Sequence, residues 1–202
     1  LNSQLIEDNY SYGIEGIKKA ENFFDELMVR KSEENLLSTI KKFPGSSLSD
    51  KAVLLGVNID YLTKNYKNAD FKLNEFVKLR ANSPLVSFAA ILRGYVAFES
   101  KKYNKAVEYF GYCKNLAESE FERRGDSVYR QIAHDCLFWG GVSLCQQGRY
   151  GEAKSLFEEC FRVYGDEERA DDALYLLGIS EEINRNYELA INYYNTIAKK
   201  YP

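Results

Sequence analysis

One spacing of residues recurs three times in this sequence and restricts the fold to a stacked array. A glycine is followed nine residues later by a tyrosine, then three later by an alanine and four later by an aromatic residue. Such self-similarity is the signature of a repeat protein, whose units bury a common core only when they stack. The three copies are Gly94, Tyr103, Ala106 and Phe110; Gly141, Tyr150, Ala153 and Phe157; and Gly178, Tyr187, Ala190 and Tyr194.

Each copy fits a pair of antiparallel helices. The glycines and alanines are predicted where the two backbones come close, and the aromatic residues are predicted to fill the space between neighbouring repeats. Pro202 follows Ala190 by twelve residues and stands at a helix-ending position. The chain contains only three prolines, so long uninterrupted helices are expected.

The pattern resembles the tetratricopeptide repeat (TPR), in which Trp-x2-Leu-Gly-x2-Tyr, Ala-x3-Phe and Pro recur over about 34 residues. The resemblance implies an all-α fold, a TPR-like right-handed α-solenoid of antiparallel helix pairs. The repeats are predicted at about 13–48, 49–86, 87–133, 134–170 and 171–202, within one domain over 1–202 that belongs to a longer protein. The frame at 49 is irregular, because Gly56 precedes Tyr66 by ten residues.

The frame that begins at 87 is longer than its neighbours, since the next begins 47 residues later. The extra residues lie at 115–130, a segment that lacks proline and is rich in Glu and Arg. This composition predicts two extended helices with a turn at Gly125 and Asp126. The segment is either a spacer or a contact element, and the sequence leaves both open.

The resemblance also implies a binding site. In TPR proteins, fixed positions on the first helix of each repeat line a concave groove that holds a segment of a partner protein. Many of these positions are aromatic here. The predicted partner-binding residues are Tyr61, Phe88, Tyr95, Phe98, Phe138 and Tyr175. The alternative is that several of these rings belong to the core.

Catalysis and cofactors have little support in the sequence. His134 is the only histidine, and it is expected in solvent beside Asp135 at the start of a repeat helix. No phosphate-binding loop, nucleophile elbow or zinc-protease motif is visible, so no metal or cofactor is expected. The four cysteines lack disulfide or metal spacing, and small buried apolar roles are expected for them.

Charge and hydropathy narrow the partner. The 27 basic and 30 acidic residues are interspersed, without the basic stripe that nucleic acid requires. The sequence contains no run of 18 apolar residues, so no direct membrane span is predicted. The sequence therefore predicts a non-catalytic scaffold for a protein or peptide segment. The alternatives are a structural or self-associating repeat array, and the regulatory arm of a larger enzyme.

Two long segments between repeats, FPGSSLSDKAVLLG and VYGDEERADDALYLLG, carry a looser resemblance. They are similar to linkers of bacterial envelope TPR proteins, the outer-membrane assembly lipoprotein BamD and the periplasmic coordinator CpoB (YbgF). This similarity implies a lipoprotein-like envelope protein, periplasmic or outer-membrane-associated rather than cytoplasmic. Unpaired cysteines argue against an oxidising compartment. The partner itself is left open.

Overall fold

The computed structural model describes residues 26–164 and 170–200, and every regular element in these ranges is an α-helix. The first half of the repeat predicted at 13–48, and Pro202, lie outside the described residues. The chain divides into two compact units, residues 1–100 and 101–202. Unit 1 contains α1 (Glu26–Lys42), α2 (Ser47–Leu62), α3 (Tyr66–Leu79) and α4 (Val86–Glu99). Unit 2 contains α5 (Tyr103–Arg124), α6 (Ser127–Cys145), α7 (Tyr150–Tyr164), α8 (Ala170–Ile183) and α9 (Tyr187–Lys200).

In each unit, every helix packs against the next one along the chain. The alanines of the repeat pattern lie at the contacts, with Ala106 and Ala153 fully buried and Ala190 nearly so. Phe110 and Phe157 are also fully buried. The all-α prediction is confirmed in the described residues, and the order of contacts is that of helical hairpins stacked in sequence order.

The glycines of the pattern make room for the aromatic residues. A Cβ placed on Gly141 would lie 2.5, 2.7 and 2.9 Å from three ring carbons of Phe157, and one on Gly178 would overlap the Tyr194 ring in the same way. Phe157 and Tyr194 therefore each fill a space inside their own hairpin, whereas the sequence analysis predicted them between neighbouring repeats. The close approach is between a backbone and a ring, not between two backbones.

Four turns have one backbone conformation in common. Lys64, Lys101, Gly148 and Arg185 have φ values of 58, 58, 72 and 63°. Each stands two residues before the tyrosine that opens α3, α5, α7 or α9, and the spacings between them are 37, 47 and 37 residues. Three of the four are non-glycine residues in a left-handed conformation that costs an L residue roughly 1 kcal/mol.

These turns resolve the irregular frame at 49. Nine residues before Tyr66 stands Val57, so Val57 and not Gly56 is the counterpart of Gly94. Leu73 likewise stands where Phe110 stands in the next repeat. Val57 is 1% exposed and Leu73 is fully buried, so a Val and a Leu replace the usual glycine and aromatic ring at the equivalent positions.

The long segment 115–130 contains the predicted pair of extended helices. α5 ends at Arg124 and α6 begins at Ser127. Gly125 has φ +71°, and the Asp126 carboxylate accepts a hydrogen bond from the backbone N–H of Val128 at 3.1 Å. The tips of the two helices pack against each other, since Ala117 and Tyr129 are fully buried. A left-handed C-terminal glycine and an aspartate N-cap explain why the helices break here.

Candidate partner-binding surfaces

His134 is fully buried, so its expected position in solvent was wrong. α6 begins at Ser127, seven residues before His134, so the start of the repeat frame is not the start of the helix. The imidazole lies edge-on to the Tyr164 ring with centroids 5.8 Å apart. Its Nδ1 is 3.5 Å from an Asp135 carboxylate oxygen, and neither ring nitrogen has a hydrogen-bond partner among the described residues.

The six predicted groove residues differ widely in exposure. Phe88 and Phe138 are 8% and 7% exposed, so little of either ring can meet a partner in this conformation. Tyr61, Tyr95 and Phe98 are partly buried. Tyr175 is 54% exposed and offers the largest free aromatic surface of the six. Binding at all six stays a prediction, and the exposures rank them with Tyr175 first.

Tyr61 lies on α2 in unit 1. Its ring meets that of Tyr66 edge-on, with centroids 5.8 Å apart. Burial raises the pKa of Tyr61 to about 12, and the charges of Glu99 and Tyr66 add to the effect. The phenol is therefore neutral at physiological pH and can both donate and accept a hydrogen bond.

Tyr175 is supported from behind by Tyr194. The two ring centroids are 6.0 Å apart, and the Tyr194 hydroxyl donates a hydrogen bond to Glu182 at 3.1 Å. Burial, followed by this hydrogen bond and the Glu182 charge, raises the pKa of Tyr194. Because Tyr194 also lies against Gly178, its ring is held on three sides and gives Tyr175 a fixed support.

Further exposed apolar side chains lie on α8 and α9 outside the six predicted residues. Ile183, Tyr187 and Ile191 are 48%, 58% and 56% exposed. Tyr187, Ile191 and Tyr194 follow each other at intervals of four and three residues, so they share one face of α9. The sequence analysis assigned Tyr187 and Tyr194 to the repeat pattern and made no prediction for Ile191.

A buried ion pair fixes α8 between its neighbours. The Glu181 carboxylate is 1% exposed, lies 2.5 Å from Lys154 Nζ of α7 and accepts a hydrogen bond from Asn186 at 2.7 Å. Lys154, then Asn186, lower the pKa of Glu181 despite its burial. The carboxylate thus joins α7, α8 and the turn that precedes α9.

The described part of the chain shows no candidate catalytic or metal site. No group of three His, Cys, Asp or Glu residues there could hold a metal ion, and no described helix has both the length and the apolarity to cross a bilayer. None of the four cysteines forms a disulfide bond. Burial raises the pKa of Cys160 to about 12, and burial and the neighbouring Cys113 raise the pKa of Cys136. These thiols carry little thiolate at neutral pH.

A sequence model of the family described as tetratricopeptide repeat matches residues 172–202. A search of curated proteins finds no match to the sequence. Several solved structures have a similar fold. MamA (residues 41 to the end) from Desulfovibrio magneticus RS-1 is 10% identical, with a TM-score of 0.62 over 95% of this chain and 94% of that one.

Two further structures are similar to this chain. One consists of the nearly identical TPR-like repeats of a Podosopora anserina kinesin light chain. Its sequence is 12% identical to that of this chain, and the TM-score is 0.67 over 98% of this chain and 95% of that one. The other is a tetratricopeptide repeat protein from Parabacteroides merdae ATCC 43184. It is 17% identical to this chain, with a TM-score of 0.62 over 94% of this chain and 67% of that one. At these identities the likeness shows the fold alone. The TPR fold, typical of protein–protein interaction scaffolds, therefore has support from the matched repeat and from the backbone of most of the chain.

Proposed function

We propose that this chain is a non-catalytic interaction scaffold that binds a segment of a partner protein through aromatic side chains on the first helices of its repeats. The supporting observation is the Tyr175 ring, which is more than half exposed at a predicted groove position and packs against the Tyr194 ring of the same hairpin. Exposed aromatic surface that is held in place loses little side-chain entropy on binding, so it suits an anchor residue.

Photo-crosslinking in the native cell tests the proposal. A benzoylphenylalanine is placed at Tyr175, and in a second experiment at Tyr95, and crosslinked proteins are identified by mass spectrometry. The matched control is Phe71 of α3, an aromatic residue that is 63% exposed but lies on a second helix, away from the groove positions. The scaffold function predicts crosslinks to a partner protein at Tyr175 and at Tyr95, and none at Phe71.

Two results contradict the proposal. Equal recovery of the same proteins from Phe71 indicates unspecific contact with exposed aromatic residues. Crosslinks to the chain itself alone indicate a structural or self-associating array. A loss-of-function variant completes the test: Tyr175→Lys leaves the far-UV circular dichroism unchanged, because the side chain is exposed, and abolishes recovery of the partner.

The proposal extends to a bacterial envelope complex of the BamD or CpoB type, periplasmic or outer-membrane-associated. Its support is the similarity of the two long segments between repeats. The same crosslinks decide this extension, since envelope or outer-membrane proteins support it and cytosolic partners overturn it while leaving the scaffold function intact.

A further inference from the structure

The first helix of the last repeat carries a stripe of acidic and apolar side chains, of which four are exposed and Ile179 is half-buried. Counted at 3.6 residues per turn, the five positions fall within about 100° of the helix circumference. They are Asp172, Tyr175, Ile179, Glu182 and Ile183. Asp172 and Glu182 are exposed, and neither pairs with a cation among residues 26–164 and 170–200. Within the described residues, the stripe therefore offers apolar contact together with two carboxylates that no cation neutralises.

The apolar part of the stripe continues onto α9. The contact between Tyr175 and Tyr194 sets the α8 stripe beside the α9 face that carries Tyr187 and Ile191. We use the name α8–α9 face for this combined surface. Its members are Asp172, Tyr175, Ile179, Glu182, Ile183, Tyr187, Ile191 and Tyr194.

The preceding repeat shows what covers such a face inside the array. Counted from the tyrosine that opens each second helix, Ile191 of α9 corresponds to Lys154 of α7. Lys154 lies 2.5 Å from Glu181 of α8, so this side of a second helix is the one on which the next helix packs. The corresponding side of α9 is thus shaped to receive a helix, and Ile191 in place of lysine makes its centre apolar.

The charges on α8 and α9 indicate which charge a bound partner segment should carry. The basic residues of α8, α9 and the turn between them are Arg185, in the turn, and Lys199 and Lys200, in the last turn of α9. Lys200 lies 5.1 Å from the centre of the Phe161 ring on α7, and Lys199 is rotated about 80° around the helix from Ile191. The carboxylates of the stripe are left to face the incoming segment. Two copies meeting through this face would oppose like charges, which disfavours a symmetric dimer.

We propose that the α8–α9 face docks an amphipathic helix of a partner protein, with an apolar stripe on Ile191 and Tyr175 and with Lys or Arg side chains facing Asp172 and Glu182. The proposal rests on the scaffold function above and specifies the chemistry of its partner. Helix-in-groove docking of this kind is read through anchors spaced three and four residues apart.

Two synthetic peptides test the proposal on the full chain. Both are helical and have the same leucine stripe, but one carries lysine and the other glutamate at the flanking positions. Fluorescence anisotropy at about 0.15 M salt, where surface charges are still felt within about 8 Å, measures both affinities. The lysine peptide is expected to bind about tenfold more tightly than the glutamate peptide. Equal affinities would overturn the assigned charge.

Two double variants locate the effect. Asp172→Lys with Glu182→Lys is expected to weaken the lysine peptide about tenfold and to strengthen the glutamate peptide. The matched control, Glu108→Lys with Glu122→Lys on exposed positions of α5, changes the net charge by the same amount and should leave both affinities within twofold. An equal loss in the control would show that only net charge matters and would overturn the site.

The apolar half has its own variant. Ile191→Asp should abolish binding of the lysine peptide while the circular dichroism stays unchanged, since Ile191 is 56% exposed. If the chain is instead a dimer by ultracentrifugation that Ile191→Asp converts to monomer, the occupant is a second copy and the proposal is wrong. Partner recovery at Tyr95 without binding of either peptide would refute this inference alone, and loss of both would refute the scaffold function as well.

Discussion

The contact between Gly141 and the Phe157 ring in unit 2 leads us to predict that two glycine-to-alanine substitutions change the free energy of unfolding in opposite directions. In Gly141→Ala the new methyl group lies 2.5–2.9 Å from three carbons of the Phe157 ring, which is fully buried. In Gly111→Ala, on the exposed side of α5, nothing lies within 4 Å of the new methyl group. Both changes remove a glycine from a helix, so the intrinsic gain in helix stability is the same.

The magnitudes follow from the two contributions. Replacing glycine by alanine in a helix interior stabilises by about 1 kcal/mol. Overpacking a close-packed core costs about 1–3 kcal/mol, and the upper part of that range applies here because the ring has no solvent-exposed side. Gly141→Ala should therefore lower the free energy of unfolding by roughly 1–2 kcal/mol, and Gly111→Ala should raise it by up to about 1 kcal/mol.

Thermal and urea unfolding followed by circular dichroism measure both. For a chain of this size, 1 kcal/mol corresponds to about 2–4 °C in Tm, so the two variants should differ by more than about 4 °C. Adding Phe157→Leu to Gly141→Ala should recover part of the loss, because the shorter side chain vacates the space that the methyl group needs. If Gly141→Ala is stabilised as much as Gly111→Ala, or if Phe157→Leu restores nothing, the proposed packing is wrong.

Three further predictions concern buried polar groups and thiols. Folding lowers the pKa of the Glu181 carboxyl, so its ionised form stabilises the fold above the ordinary pKa of 4.5, and this stabilisation is lost as the pH falls through the folded pKa. The Tm difference between wild type and Glu181→Gln should therefore be largest near pH 7 and vanish in acid. Asp50 is 5% exposed and lies 2.5 Å from Arg80. Asp50→Ala should lower the free energy of unfolding by about 2–3 kcal/mol, which is less than the ~3–5 kcal/mol of a fully buried pair because Arg80 keeps contact with water. An unchanged urea midpoint would contradict this. Iodoacetamide should modify the partly exposed Cys145 before the three buried thiols, as followed by peptide mass spectrometry, and simultaneous modification of all four would show that the array opens as a whole.

The repeat register of unit 2 could be predicted from the sequence because it depends on residue size. Gly141 and Phe157 are complementary in volume, so their spacing identifies a helical hairpin without coordinates. In unit 1 the same volume is divided between Val57 and Leu73. A Val–Leu pair has no distinctive composition, and Gly56 one position earlier gave a competing register, so this repeat was placed less accurately than the others.

The candidate site was predictable only in part. Spacing places Tyr175, Phe88 and Phe138 at equivalent positions, yet the structure exposes the first and buries the other two. Exposure depends on which helix covers each ring, and no single helix encodes its neighbours. The same reason explains His134, whose place in the repeat was known but whose helix begins seven residues earlier than the repeat does.

By itself, the sequence determined the all-α class, the hairpin repeat and the break at Gly125 and Asp126, because these follow from local sterics: residue volume at fixed spacing, a left-handed glycine and a capping carboxylate. The tertiary structure decided the left-handed turns at Lys64 and Arg185, where stacking of the helices imposes a conformation that lysine and arginine do not favour. It also decided which aromatic residues remain in contact with solvent. Both depend on contacts between residues distant in the chain, and the free energy of those contacts is absent from any local pattern.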